Sequence, residues 1–255
     1  MAVTHSPRIG IVVPLYNEEK RFDLEYWSKL TQSSMCDWLF IDDGSSDETP
    51  KLLGSLIQLP SCSFVGLEMQ AHNLGKAETI RRGLLKFHEM GYSSDDFVGF
   101  LDADSAFPIE EVGRLIRLVS SLNAPPPTNY LHPVDALWSS RVALAGRQIE
   151  RNLQRHFLAR ILHTLIAVRH PRLPYDTQSG FKFFRASESL FLVLSEKFRT
   201  RWFFEIEILL RYRNRGFSLN VREEPLEAWK DIANSKIQGR ELIRVASEYL
   251  KLVVI

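Results

Sequence analysis

Four short apolar runs, each ending on polar residues, frame the first half of the chain. Arg8–Leu15 (RIGIVVPL) is β-branched and breaks at Tyr16-Asn17-Glu18. Trp38–Ile41 stops at Asp42-Asp43-Gly44, and Ser63–Glu68 leads to Asn73-Leu74-Gly75-Lys76. Phe97–Leu101 stops at Asp102-Ala103-Asp104. Continuous apolar runs with polar bounds read as strands buried on both faces. Between them the pattern is helical over Arg21–Leu30, from Glu48 onward with Ser46 or Asp47 as N-cap, and over Ala77–Met90. This alternation predicts an α/β chain with a mostly parallel sheet flanked by helices. Ligands collect outside the carboxyl ends of such strands, so the four polar tips share one rim.

The second half alternates less regularly. Asn123–Asn129 (NAPPPTN) has the composition of an exposed loop, and Ala136–Val142 reads as a further strand. Arg147–Arg169 carries Ile149, Leu153, Phe157, Ile161 and Leu165 at helical spacing, with Arg147, Arg151, Arg155 and Arg160 on its flanks. Helices over Ser187–Phe198 and Arg201–Arg215, a strand near Phe217–Val221 and a last helix over Gly239–Ile255 complete the pattern.

Asp102 and Asp104, two residues apart at a strand end, can aim at a common point. Oxygen-only ligands of this kind suit Mg²⁺ or Mn²⁺, cations that keep waters and bind substrate phosphate. Asp-x-Asp alone is more often a surface turn; the neighbouring tips change that balance. Carboxylates such as Asp42 and Asp43 can accept from a base N–H or ribose hydroxyls, and Lys76 can neutralise a diphosphate. A cation at a helix N-terminus opposes the helix dipole, which favours an anionic ligand beside it. Neither GxGxxG nor GxxxxGK[ST] occurs, so no dinucleotide fingerprint or P-loop is suggested.

Composition adds bounds. The 255 residues are 45% hydrophobic and 25% charged with a net charge of +1, ordinary for a soluble domain and no argument for nucleic acid. Cys36 and Cys62 have no metal-ligand spacing and read as reduced thiols. No apolar run approaches the roughly 18–20 residues that span a bilayer, and the N-terminus lacks a secretory h-region. The expectation is a cytoplasmic protein. The Arg147–Arg169 segment suits either core packing or peripheral contact with a membrane surface.

The motifs VVPLYNEE, IDDGSSDET, HNLGKAETIRRG and FLDADSAFP, in this order, resemble the GT-A glycosyltransferases of family 2. Ser139–Arg141 (SSR), DTQSGFKFF, RWFFEIEIL and EPLEAWKDIANSKI resemble its dolichyl- and polyprenyl-phosphate glucosyl- and mannosyltransferases. The resemblance covers nearly the whole chain. It implies a single GT-A domain over 1–255, with a Rossmann-like nucleotide-sugar half (1–122), a smaller mixed acceptor half (130–238) and a C-terminal helix (239–255). It implies inverting transfer of a hexose, glucose first, from a UDP-sugar (a GDP-sugar is the alternative) to a polyprenyl phosphate, with Mg²⁺ or Mn²⁺.

Carried over by position, Pro14, Tyr16, Glu18, Asp42 and Asp43 would border the nucleoside, and Gly75 and Lys76 the ribose–diphosphate. Asp102 would reach the ribose or sugar and, with Asp104, the metal. Asp176 and Gln178 would line the sugar pocket. Arg141, with Arg151 and Arg155, would hold acceptor or leaving phosphates, and Trp229 would stand at the acceptor mouth. An alcohol acceptor needs a general base, Asp176 first and Glu205 second; a phosphate monoester needs none. Two positions depart from the family pattern. Ala106 replaces a glutamine that serves mannosyl members as a further metal ligand, and Glu205 replaces an aspartate in Phe204-Glu205-Ile206-Glu207-Ile208. Two other readings stay open: the same donor chemistry with a soluble acceptor, and a catalytically silent nucleotide-sugar-binding module.

Overall fold

The computed structural model describes residues 7–33, 36–60, 64–122, 133–150, 164, 166–171, 173–232, 248 and 252. Each apolar run forms the strand its pattern predicts. Strands β1 (Ile9–Leu15), β2 (Asp37–Asp42), β3 (Val65–Met69) and β4 (Phe97–Leu101) alternate with helices α1 (Leu24–Ser33), α2 (Thr49–Ile57) and α3 (Lys76–Glu89). Helix α4 (Ile109–Ser120) follows, then β5 (Ala136–Ser140), β6 (Gln148–Glu150), β7 (Phe181–Arg185), α5 (Glu188–Leu194), α6 (Phe204–Asn214), β8 (Val221–Pro225) and β9 (Ala228–Lys230).

Seven strands form one sheet in the order β3-β2-β1-β4-β7-β5-β8, and β6 and β9 form a separate parallel pair. Every pairing in the large sheet is parallel except those of β7, which runs antiparallel to both β4 and β5. Its two faces bury different helices. One packs Ile11, Val13, Trp38 and Phe97 against Trp27 and Leu30 of α1, Leu53 of α2 and Leu115 of α4. The other packs Val12, Ile41, Phe100 and Trp138 against Ile80 and Leu84 of α3, Leu190 of α5 and Ile208 of α6. The chain winds from β1 to β3 in one direction, and β4 then lands on the other side of β1. The carboxyl ends of β1 and β4 therefore flank the switch point, where ligands of such sheets bind.

Two expectations need correction, and one helix was missed. Arg147–Arg169 does not begin as a helix: Gln148–Glu150 is β6, with Ile149 opposite Trp229. Main-chain bonds from Gln148 N to Glu227 O (2.8 Å) and from Asp231 N to Glu150 O (3.1 Å) hold it extended. Residues 164 and 166–169 are helical, while Arg151, Arg155 and Arg160 lie outside the described residues. The strand expected near Phe217–Val221 begins only at Val221, where register with Ala136 starts. Helix α4 was not read from the sequence, although Val112, Leu115, Ile116 and Val119 form a buried stripe at helical spacing. Of the last predicted helix, positions 248 and 252 are described, and both are helical.

Two helix glycines test this packing in opposite directions. A Cβ at Gly83 of α3 would lie 2.6 Å from Val12 Cγ2, whereas one at Gly54 of α2 would meet nothing within 4 Å. Gly83→Ala is expected to destabilise the fold by about 1–3 kcal/mol through overpacking. Gly54→Ala is expected to stabilise it by about 0.5–1 kcal/mol through helix propensity. Denaturant melts of the two variants should move in opposite directions; equal shifts would contradict the close approach of α3 to the sheet.

Candidate active site

The rim begins where β1 and β2 end. Asp43 donates its backbone N–H to Leu15 O (2.8 Å), and its carboxylate accepts from Leu74 N (2.7 Å) and Gly75 N (2.8 Å). One buried aspartate thus ties the ends of β1 and β2 to the loop that opens α3. Asp42 is 1% exposed; its Oδ2 accepts from Ser45 N (3.1 Å), and Oδ1 has no hydrogen-bond donor among the described residues. Glu18, also buried, pairs with Arg21, and its backbone N–H donates to Thr49 Oγ1 (2.8 Å). Tyr16 is exposed beside them, and Pro14 pairs in register with Ile41.

Lys76, the first residue of α3, reaches the end of β4. Its ammonium lies 2.5 Å from Asp102 Oδ1, as an ion pair. Although 44% of its side-chain surface is accessible, the surrounding protein opposes its charge; Asp102 outweighs that, with Glu205 and Asp104 adding, and the lysine pKa rises. Asp104 turns back to accept from Ala106 N (3.2 Å). Burial, then the charge of Asp102, raises its carboxyl above the usual range. The intervening Ser105 has φ 57°, a left-handed conformation uncommon outside glycine. Two crowded carboxylates, one of them destabilised as an anion, fit a hard divalent cation. Among the described residues no group of three or more His, Cys, Asp or Glu side chains could hold a metal. A cation here would take two protein carboxylates and complete its shell with water and phosphate oxygens, the habit of Mg²⁺.

Across the rim stands a second cluster. Asp176 accepts from Arg141 N (2.9 Å), Nε (2.8 Å) and Nη2 (2.8 Å). The guanidinium also lies 5.1 Å from the centre of the Trp229 ring. Burial alone would raise the Asp176 carboxyl, but Arg141 holds it well below the usual carboxylate range. Burial likewise opposes the Arg141 charge, and Asp176 overrides it, with Asp102 and Asp231 adding. The Gln178 backbone N–H donates to Asp176 Oδ1 (3.3 Å). Glu205 is buried on the first turn of α6, 3.5 Å from Lys182 Nζ. Burial raises its carboxyl above the ordinary value, although Lys182 and Lys76 draw it down.

The structure therefore joins Asp102, Asp104 and Lys76 at one point, and Arg141, Asp176 and Trp229 at another. Arg151 and Arg155, expected at the acceptor, lie outside the described residues. Two side chains were missed. Lys182, fully buried on β7, is marked in the sequence by a cation inside the apolar run FKFF. Arg201, whose guanidinium Nε lies 3.4 Å from the Cβ position of Gly75, carried no signal that separates it from a surface arginine.

A nearly all-parallel α/β/α sheet with a paired-aspartate rim at its switch point defines a GT-A glycosyltransferase. The family model for glycosyl transferase family 2 matches residues 10–173, and the chain belongs to that family. It is 30% identical over 256 residues to dolichyl-phosphate beta-glucosyltransferase ALG5A of Trichomonas vaginalis, covering 96% of this chain and 73% of that protein. The human dolichyl-phosphate beta-glucosyltransferase is 27% identical over 261 residues, covering 95% and 76%. Among solved structures, glucosyl-3-phosphoglycerate synthase of Mycobacterium tuberculosis with Mn²⁺, UDP and glucosyl-3-phosphoglycerate has a TM-score of 0.62 at 18% identity, covering 97% of this chain and 79% of that one. Mannosyltransferase PcManGT of Pyrobaculum calidifontis, with GDP-Man and Mn²⁺, has a TM-score of 0.61 at 17% identity, covering 98% and 64%.

The Arg141–Asp176 pair makes a stability prediction. Asp176→Asn is expected to cost about 1.5–3 kcal/mol at pH 7, the worth of a hydrogen bond to a charged group. Since the folded pKa is depressed, this contribution is complete above the unfolded value of about 3.9 and is lost as pH falls through the folded one. Melts of both proteins should keep a constant separation from pH 8 to pH 5 that narrows only in strong acid. A variant as stable as wild type at pH 7 would remove the pair from the stabilising network.

Proposed function

We propose that this chain transfers a hexose, glucose first, from a UDP-sugar to a polyprenyl phosphate at a membrane surface, with inversion at the anomeric carbon. The observation that carries the reading is the Arg141 guanidinium, set by Asp176 and stacked on Trp229 within the field of Asp102. A planar cation held rigidly in that way suits a phosphate acceptor. The dolichyl-phosphate relatives, matched over 95–96% of this chain, support the lipid form of that phosphate. No helix among the described residues is long and apolar enough to cross a membrane; the reading has the lipid phosphate presented to the rim.

In this reading Asp42 accepts from the base, and Gly75 and Lys76 face the ribose–diphosphate. Asp102 and Asp104 would hold the cation, which when bound would neutralise diphosphate charge. The acceptor phosphate, with a second pKa near ~6, is an anion at pH 7 and needs no general base. One of its oxygens forms a bond to the anomeric carbon from the face opposite the diphosphate. The old carbon–oxygen bond breaks, and its electron pair leaves with the nucleoside diphosphate. Lys76 stabilises the charge that grows there. Asp176, committed to Arg141, orients the acceptor group and removes no proton.

The test is UDP release from UDP- and GDP-sugars with Mn²⁺, with and without a short-chain polyprenyl phosphate. Strong stimulation by the lipid phosphate is the expected result, and Asp104→Ala should reduce metal-dependent turnover at least about 100-fold. Turnover that ignores the lipid would move the acceptor to a soluble molecule. Full activity of Asp104→Ala would remove the metal from that carboxylate.

A further inference from the structure

Lys182, near the rim, contacts no solvent and belongs to none of the roles above. It sits on β7 between Phe181 and Phe183, opposite Phe100 of β4 and Trp138 of β5. Its ammonium lies 5.5 Å from the centre of the Phe100 ring and 5.2 Å from that of Trp138. It donates to Ser179 O and faces Glu205 Oε1 at 3.5 Å. A buried ammonium is costly in a core strand where an aliphatic side chain would pack freely. Its partners explain the placement.

Ser179 closes the turn that leads into β7, and the next residue is wedged against the metal-side carboxylate. Gly180 O accepts from Asp102 N (2.9 Å), and a Cβ on Gly180 would lie 2.3 Å from Asp102 Oδ2. The Ser139 and Ser179 hydroxyls, 2.5 Å apart, brace the same turn from β5. Behind it, Glu205 Oε2 is buried with no hydrogen-bond donor among the described residues, and Lys182, 3.5 Å from Oε1, is the nearest cation to this carboxylate, with Lys76 adding.

We propose that Lys182 is a positioning residue of the donor site: by gripping the Ser179 carbonyl it holds the Ser179–Gly180 turn against Asp102, and so fixes the carboxylate that faces Lys76. The inference rests on the donor reading above but not on the identity of the acceptor. Lys182 touches neither nucleotide nor sugar; it acts through main chain.

The experiment separates this role from plain compensation of Glu205. Lys182→Met leaves Glu205 buried and uncompensated, and should destabilise the fold for that reason alone. Lys182→Met/Glu205→Gln removes both charges and should recover thermal stability. Calorimetric titration with UDP or GDP in Mn²⁺ then reads the site without turnover. The double variant should bind nucleotide about tenfold more weakly than wild type, ~1.4 kcal/mol, while Glu205→Gln alone stays within about threefold. Equal affinity of wild type and double variant would overturn the proposal, as would a loss already complete in Glu205→Gln. If the double variant does not fold, Gly180→Ala disturbs the same carboxylate and leaves Lys182 in place; it should show the same weakening, and unchanged affinity would overturn the proposal. Wild type that binds neither nucleotide would sink the donor reading itself.

Discussion

The structure depends on countering several carboxylates gathered at one rim of a buried sheet. Removing a carboxylate from water is costly unless cations or N–H groups replace the water. Asp43 receives two backbone N–H groups, Asp176 receives Arg141, Glu205 receives Lys182 and Asp102 receives Lys76. Burial raises the carboxyls of both Glu205 and Asp104, and at Asp104 the charge of Asp102 adds to it. The crowding of two carboxylates at Asp102 and Asp104 is what a divalent cation would relieve. Most of the other charges at this rim are matched within the chain.

Strand direction brings these partners together. Parallel strands end on the same rim, which places the tips of β1, β2 and β4 side by side. An antiparallel strand begins where its neighbours end. Because β7 is inverted, Phe181 lies opposite Leu101, and the segment Asp176–Gly180 that precedes it arrives beside Asp102. Had β7 run parallel, that segment would approach the opposite edge of the sheet. The small sheet of β6 and β9 extends the same logic, since pairing Ile149 with Trp229 places the indole beneath Arg141. Helix α4 secures that region: Arg114 bridges Glu111 to Glu224 (2.7 Å) and Pro225 O (3.1 Å), and Glu227 N donates to Glu111 Oε1 (3.0 Å).

How much of this could be read in the sequence follows from the range of each interaction. Strands β1, β2 and β4 were legible because burial on both faces leaves an uninterrupted apolar run, and β3, partly buried at the sheet edge, keeps a shorter trace of the same pattern. The rim was legible because each such run ends abruptly on polar residues. Strand β6 was not, because Gln148–Glu150 owes its extended form to a partner nearly 80 positions away, and local spacing offered a helix instead. Asp176 could be read as a residue of the sugar side, but its commitment to Arg141 spans 35 positions and has no local signature. Lys182 was visible as an oddity, a charge inside FKFF, and its meaning appears only when Ser179 and Glu205 are placed around it. Charge pairs across a fold leave weaker traces in sequence than hydrophobic period does, since any position on the facing element could supply the partner.

Ala106 shows why a departure from a family pattern need not dissolve the site around it. Its side chain offers nothing to a metal, yet its main chain binds on both sides. Ala106 N donates to Asp104 Oδ1 (3.2 Å), and Ala106 O accepts from Lys230 N (3.2 Å) on β9. Tyr26 OH and Trp27 Nε1 hold the flanking carbonyls of Phe107 (2.8 Å) and Ala103 (3.2 Å). The loop that carries both aspartates is therefore fixed by backbone contacts that a change of side chain at position 106 leaves untouched. Under the proposed reading, losing the glutamine oxygen frees one coordination position for water or phosphate, and the carboxylates that set the charge stay where they are. The same backbone link joins the loop of Asp102 and Asp104 to the strand that carries Trp229, so the two sides of the rim are registered through Ala106 whatever its side chain.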